Sequence, residues 1–110
     1  MAKRELRELD EFEYARVTRI YGLLATALAH AQGLILARNK FVDANILEVL
    51  DTVVELRGPM AAEVLLVEAW TLWCQKRDLT NAAWPVTIFK GEIQGALALV
   101  ERAASRGGAA

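Results

Sequence analysis

A stretch of eighteen residues without a charge, Ile20–Ala37, constrains the fold of this chain more than any other feature. A helix on the surface of a globular protein normally carries charged or polar residues on its outer face, whereas a helix that is apolar or small all round is buried on every side. The stretch lies between Arg19 and Arg38, and alanine and leucine supply much of it. We therefore predict that it forms the central helix of a helical core.

Two alternatives to one buried, unbroken helix follow from the same residues. Eighteen residues of α-helix are about 27 Å long, close to the ~30 Å hydrocarbon thickness of a bilayer. The polar side chains of Thr26, His30 and Gln32 weigh against a membrane span, so we expect no membrane association. The second alternative is a break at Gly22 or at Gly33, where glycine can end a helix in a left-handed cap. The sequence leaves these break points open.

Length and composition indicate one helical domain. At 110 residues the chain is long enough to bury a core, and its single cysteine, Cys74, excludes an intramolecular disulfide and is typical of a reducing compartment such as the cytoplasm. Thirteen basic and fourteen acidic residues give a net charge of −1, so no overall field attracts nucleic acid or anionic lipid. Alanine and leucine are strong helix formers, and there are only two prolines. We predict an all-α fold.

Four segments carry apolar residues at helical spacing, and together they predict a compact bundle of about four helices, mostly antiparallel, within residues 1–104. The segments are about Glu5–Leu36, Ala44–Arg57, Met60–Arg77 and Pro85–Ala104, and residues 105–110 are expected to be a frayed tail. An unbroken first helix would be about 48 Å long, well beyond the others. Asp43 is the expected N-cap of the second helix, and Glu48 is placed on its polar, outer face.

The third segment has more apolar residues than one core face requires. Five of them define the face that we expect to point inward: Leu65, Leu66, Ala69, Leu72 and Trp73. Four more fall outside that face, and we predict that they form a protein-contact surface: Val64, Val67, Trp70 and Cys74. Tryptophan is enriched at the energetically dominant positions of protein interfaces, which makes this surface the first candidate site.

Two glycines four residues apart in the fourth segment, Gly91 and Gly95, indicate a close helix crossing. A glycine inside a helix costs about 1 kcal/mol relative to alanine, so a compensating contact is expected. The spacing places both glycines on one side of the helix, where the bare backbone can admit a neighbour. We expect that neighbour to be the alanine-rich uncharged stretch.

No residue pattern predicts catalysis, a metal site or a cofactor. His30 is the only histidine and makes a poor zinc site alone, so we interpret it as a hydrogen-bonded core residue. Glu63, Glu68 and Glu92 could point inward, but solvated carboxylates beside an apolar face are far commoner. Cys74 has no recognisable base nearby and fits a packing role. We therefore expect that the protein is not an enzyme.

Two further groups of side chains leave other functions open. Aromatic side chains could line a pocket for a flat apolar ligand: Tyr14, Tyr21, Trp70, Trp73 and Trp84. Basic side chains could form a strip for nucleic acid: Arg16, Arg19, Arg38 and Lys40. We favour an interface role for the aromatic residues. The basic residues have acidic neighbours, so no nucleic-acid partner is expected.

The leading hypothesis is a non-enzymatic assembly or adaptor protein that acts through protein–protein contacts as a homodimer. Three shorter helices cannot cover a first helix of about 48 Å, and a second copy related by a two-fold axis would bury the remaining apolar surface of both chains. The alternatives are a regulator that binds a small apolar ligand in a tryptophan-lined pocket and a minor helical subunit of a nucleic-acid complex. The residues do not encode which protein is the partner.

Overall fold

The computed structural model describes residues 9–108, and those residues fold into five helices. The helices are α1 (Glu11–Gln32), α2 (Lys40–Arg57), α3 (Ala62–Lys76), α4 (Pro85–Gly91) and α5 (Ile93–Gly108). No β-strand occurs within residues 9–108, and the predicted all-α class is confirmed. Helix α5 extends to Gly108, past the predicted end at Ala104.

Capping residues bound α1 on both sides. The Asp10 carboxylate accepts a hydrogen bond from the Glu13 amide at 2.8 Å, and the Glu13 carboxylate accepts one from the Asp10 amide at 3.4 Å. Gly33 ends the helix in the left-handed conformation, with φ 67° and ψ 23°. The 22 residues of α1 are about 33 Å long, so the prediction of a first helix of about 48 Å is wrong and the break lies at Gly33, not at Gly22. The predicted start at Glu5 lies outside the described residues.

The uncharged stretch is buried on one side only. Four apolar residues at helical spacing face the core and are at most 1% exposed: Val17, Ile20, Leu24 and Leu28. The opposite side of the same helix is exposed and uncharged: Gly22, Leu23, Thr26, Ala29 and His30. The prediction of burial on every side is wrong, because short and neutral side chains face water at little cost and a lack of charge does not require burial.

Helices α1 and α3 lie side by side and run in the same direction. Near their N-termini, Arg16 donates a hydrogen bond to Glu63 at 2.7 Å, across 47 residues of chain. In the middle, the Trp70 indole of α3 donates to a main-chain carbonyl of α1 at 2.9 Å. At their C-termini, Gln32 donates to the carbonyl oxygen of Cys74 at 2.7 Å, across 42 residues. The number of residues between the two partners stays nearly constant along the pair, so the two helices are parallel. We had predicted mostly antiparallel neighbours.

Helix α3 occupies the centre of the fold, and not α1, which contains most of the uncharged stretch. It packs against α1, α2 and α5. Trp73, near its C-terminus, donates a hydrogen bond to Glu92, just before α5, so α3 and α5 are antiparallel. Helix α2 runs in the same direction as α4 and α5, as three ordered contacts show: Asn45 with Thr87, Glu48 with Lys90 and Arg57 with Glu101. The predicted central position of the uncharged helix is therefore wrong.

A kink at Glu92 divides the predicted fourth helix into α4 and α5. The backbone of Glu92 has φ −113° and ψ 17°, and its amide donates to the carbonyl oxygens of Ile88 and Phe89. Its carboxylate accepts hydrogen bonds from the Trp73 indole at 2.7 Å and from the Arg77 guanidinium at 3.2 Å. The kink separates two packing roles, because α4 packs against α2 and α5 packs against α3.

The close crossing predicted at Gly91 and Gly95 does not form among the described residues. Both glycines are exposed, and apart from the adjoining residues and backbone of their own helix, no described atom lies within 4 Å of the position that a Cβ would occupy at either one. The predicted contact with the uncharged stretch is therefore wrong. Gly91 instead directly precedes the kink at Glu92, where low helix propensity favours an interruption of the helix.

Candidate protein-contact surfaces

The structure separates the four residues of the predicted interface. Val64 is 59% exposed and Val67 is half-buried, whereas Trp70 and Cys74 are fully buried. Burial raises the pKa of the Cys74 thiol to about 12, which fits a packing role and not a contact surface. The inward face of α3 was predicted too narrowly, because a helix that packs against three others buries a wider arc of its circumference.

Exposed apolar side chains on α1 and at the start of α3 form the first candidate surface, which we call the α1–α3 face. Its members are Phe12, Leu23, Met60 and Val64. Between them, Arg16 and Arg19 hold the Glu63 carboxylate at 2.7 Å and 2.8 Å. Phe12 lies one turn before Arg16, Leu23 lies one turn after Arg19, and Val64 follows Glu63. Phe12 and Leu23 therefore lie on the same side of α1 as the two arginines, and Met60 and Val64 are near Glu63 in the chain.

The ion cluster depends on an ionised Glu63. Partial burial alone would raise the pKa of Glu63, but hydrogen bonds from Arg19 and Arg16 outweigh it and hold that pKa below its ordinary value. The predicted basic strip is not formed, since Arg16 and Arg19 are paired with this carboxylate. Of its other two members, Arg38 is also paired with a carboxylate, at 3.0 Å, and only Lys40 remains without one among the described residues.

The second candidate surface is a cleft between the N-terminal ends of α2 and α4, which we call the aromatic cleft. Phe41 and Trp84 stand at its mouth, 56% and 50% exposed, with the edge of one ring toward the other and 6.2 Å between centroids. One turn further along each helix, Asn45 donates a hydrogen bond to Thr87 at 3.1 Å. Ile35, from the loop between α1 and α2, lies at the same cleft and is 95% exposed. Large apolar side chains and hydrogen-bonding groups thus meet in one place.

Beside Trp84 the cleft opens into a cavity of about 120 Å³. Its walls are largely apolar and come from two loops, α2 and α4: Leu34, Leu36, Val42, Leu79, Ala82 and Val86. Asn45, Thr80 and Thr87 add polar groups. A protein cavity of about 150 Å³ accepts benzene. The space therefore matches one small ring or one branched side chain.

A buried ion pair supports the cleft from the core side. The Lys90 ammonium donates hydrogen bonds to Asn45 Oδ1 at 2.9 Å and to Glu48 Oε2 at 2.7 Å. Glu48 is 5% exposed, so its predicted place on an outer, polar face is wrong. Helix α4 covers that side of α2, and Lys90 supplies the charge that a buried carboxylate requires. The Asn45 amide, held between Lys90 and Thr87, consequently has a fixed orientation.

The loop between α1 and α2, which forms one wall of the cavity, is held by Arg38. Its guanidinium pairs with Asp43 at 3.0 Å and lies over the Tyr14 and Tyr21 rings, 4.9 Å and 5.4 Å from their centroids. The prediction that Asp43 is the N-cap of α2 is therefore wrong. That role belongs to Asn39, whose side chain accepts a hydrogen bond from a first-turn amide at 2.9 Å.

The other predicted site residues do not come together. His30 is exposed in the last turn of α1, so its interpretation as a core histidine is wrong. Glu68 is exposed, and Glu92 binds the Trp73 indole and Arg77 at the kink. Within residues 9–108, no three His, Cys, Asp or Glu side chains are arranged to hold a metal ion.

The five predicted pocket aromatics occupy three separate places. Trp70 and Trp73 pack against each other and against Phe89 in the core, with ring centroids 5.1–5.4 Å apart. The two tyrosines lie under Arg38. Trp84 alone of the five lines the aromatic cleft. Among the described helices, none is both long enough and apolar enough to cross a membrane.

Comparisons with protein-family models, with curated proteins and with solved structures find no match to this chain. The functional conclusion consequently rests on the two surfaces. Sequence reasoning missed the aromatic cleft, since Phe41 and Trp84 lie at helix ends, where apolar periodicity is uninformative. One signal was present: each is a large aromatic residue in a segment rich in turn-forming residues, where a turn itself requires no such side chain.

Proposed function

We propose that this protein is a cytoplasmic, non-enzymatic assembly or adaptor protein that acts through protein–protein contacts and forms a homodimer. The observation that carries the proposal is the aromatic cleft, where Phe41 and Trp84 are exposed beside a cavity with apolar walls. Aromatic residues next to pockets are enriched among the side chains that dominate binding free energy. Burial of both rings by a partner would remove apolar surface from water, which favours association.

The α1–α3 face supports the homodimer. A second copy related by a two-fold axis would place this face against itself and cover the apolar side chains of both chains. The exposed side of α1 from Gly22 to His30 contains no lysine, arginine or acidic residue, so a second α1 can approach without burying an unpaired ion. Support for the dimer therefore comes from this surface and no longer from the length of the first helix.

Light scattering coupled to gel filtration tests the homodimer. The expected mass at tens of micromolar protein is twice the 12.1 kDa of one chain. Val64→Asp places a charge on the α1–α3 face and should return the mass to that of one chain. Ile35→Asp places the same charge at the aromatic cleft, at a position that is also exposed, and is the control that should leave the dimer intact. A parent protein with the mass of one chain would contradict the homodimer.

Affinity capture from cells that express the protein tests the adaptor role. A partner specific for the aromatic cleft should be captured by the parent protein and by Val64→Asp, and lost in the double variant Phe41→Ser, Trp84→Ser. Both residues are about half exposed, so this variant should retain the helical circular dichroism of the parent. If the parent and the double variant capture the same amount of partner, the aromatic cleft is not the partner-binding surface.

A further inference from the structure

We infer that the aromatic cleft binds an acidic peptide segment of a partner protein, which inserts one aromatic or branched apolar side chain into the cavity. The inference rests on the proposed function and names the chemistry of the partner. The size of the cavity, the hydrogen-bonding groups at its mouth and the exposed lysine next to Phe41 point to this occupant.

The cavity has room for a single anchoring side chain. Its volume is about 120 Å³, and a cavity of about 150 Å³ accepts one benzene ring. Leu36, Val42 and Val86 in its walls are buried and belong to the hydrophobic core, so the apolar walls are fixed by packing. An anchor of this kind, in a largely preformed apolar site, is typical of the residues that dominate peptide binding.

Asn45 and Thr87 can bind the main chain of the partner beside the anchor. The Asn45 oxygen accepts from Lys90, and one hydrogen of its amide is donated to Thr87. An amide nitrogen carries two hydrogens and a hydroxyl one, so within the described residues one Asn45 N–H and the Thr87 O–H remain available. A peptide carbonyl next to the anchoring side chain is the acceptor that such donors require.

The residue before Phe41 in the chain is a lysine. Lys40 is exposed in the first turn of α2 and forms no ion pair with another described residue. The positive end of the α2 dipole lies at the same place. The acidic residues of this part of α2, Asp43 and Glu48, are each paired with a basic side chain. A carboxylate adjacent to the anchor could therefore pair with Lys40, which no carboxylate of the described residues neutralises.

Titration of the full chain with short capped peptides, followed by NMR, tests the inference. The first probe is acetyl-Ser-Phe-Glu-amide, and it should shift the Trp84 indole N–H and the Asn45 side-chain amide saturably. A second probe replaces phenylalanine by serine and should cause no saturable shift. A third replaces glutamate by lysine and should bind about fivefold more weakly at low salt, a difference that high salt should remove.

Two pairs of variants locate the binding. Ala83→Leu adds a side chain at the exposed edge of the cavity and should abolish the shifts, whereas Ala104→Leu, equally exposed on α5, should leave them unchanged. Lys40→Glu should remove the preference for the glutamate peptide over the lysine peptide. Arg102→Glu, a charge reversal on the exposed side of α5, should preserve that preference.

Three outcomes would overturn the inference. They are the absence of a saturable shift with the first probe, unchanged binding in Ala83→Leu, and binding of benzyl alcohol that is tighter than that of the peptide. The last result would identify a small-ligand site. A negative peptide titration would not by itself contradict the proposed function. Capture of a partner that depends on Phe41 and Trp84 would still support an adaptor role even if no peptide entered the cavity.

Discussion

The side-chain oxygen of Gln32, the last residue of α1, accepts a hydrogen bond from the main-chain amide of Leu79 at 2.9 Å. The Gln32 amide nitrogen also donates to the carbonyl oxygens of Cys74, at 2.7 Å, and of Arg77. These carbonyls lie at the end of α3, where a helix has acceptors without intrahelical partners. One side chain thus caps α3, aligns it with α1, and places Leu79 in the wall of the aromatic cleft.

Gln32→Ala should lower the free energy of unfolding by about 2 kcal/mol, because it leaves one amide and two carbonyl groups without their partner. Urea denaturation with an unchanged m-value measures the loss. Gln75→Ala, an exposed glutamine of α3, is the control and should change stability by less than about 0.5 kcal/mol. Equal losses in the two variants would contradict the capping role.

Glu63→Gln should reduce stability at pH 7 by about 1 kcal/mol and should have a smaller effect at pH 3. The pKa of Glu63 in the folded state is lowered from its ordinary value of 4.5. Its contribution is therefore present above about that pH and is lost as the pH falls through the lowered folded-state pKa. Urea denaturation at the two pH values measures the stability loss at each. The control is Glu68→Gln, at an exposed position of the same helix, whose effect on stability should not differ between the two pH values. A loss that is as large at pH 3 as at pH 7 would exclude the ion cluster as its cause.

Lys90→Met should destabilise the protein by about 3 kcal/mol, because the buried Glu48 carboxylate would lose its ion pair and hydrogen bond with Lys90. The double variant Glu48→Leu, Lys90→Met should lose less than the single variant, since no buried charge remains. Thermal and urea unfolding measure both. Lys76→Met, at an exposed position, is the control for the loss of one lysine. A double variant with a lower free energy of unfolding than Lys90→Met would contradict this account of the pair.

Ala61→Gly should raise the free energy of unfolding by about 0.5–1 kcal/mol. Ala61 is the N-cap of α3 and has a φ of 57°, a left-handed conformation that is costly for alanine and free for glycine. Ala104→Gly, the same change inside α5, should lower it by about 0.5–1 kcal/mol. Differential scanning calorimetry should show melting temperatures that move in opposite directions, and a fall in both would disprove the strain at Ala61.

The Cys74 thiol should react with a thiol reagent only when the protein unfolds, since it is fully buried. Burial raises its pKa from 9.0 to about 12, so the folded state keeps the proton that the unfolded state releases. Its contribution to stability is complete below about pH 9 and is lost as the pH rises toward 12. Labelling kinetics with and without urea measure the protection. Rapid native labelling at pH 8 would contradict it.

Local patterns along the chain determined the helical class and the existence of α1, α2 and α3. Apolar spacing and capping residues act within a few positions, so they are readable without neighbours. Helix α2 ends at Arg57 as predicted, and the amide of the next residue, Gly58, is bonded to the Val54 carbonyl at 2.8 Å. Gly33 was one of two candidate breaks in the uncharged stretch, and its left-handed cap is equally local. The kink at Glu92 was missed because its polar partners come from another helix.

The tertiary structure alone decided which face of each helix is buried and which helices are neighbours. Trp70 is inside the protein and Leu23 outside, although both belong to apolar segments. The burial of Glu48 became possible only where Lys90 lies beside it. The hydrophobic effect has no direction, so an apolar stripe favours contact without specifying its partner. The parallel pairing of α1 with α3, and the cleft between Phe41 and Trp84, follow from packing between distant parts of the chain, which no local pattern encodes.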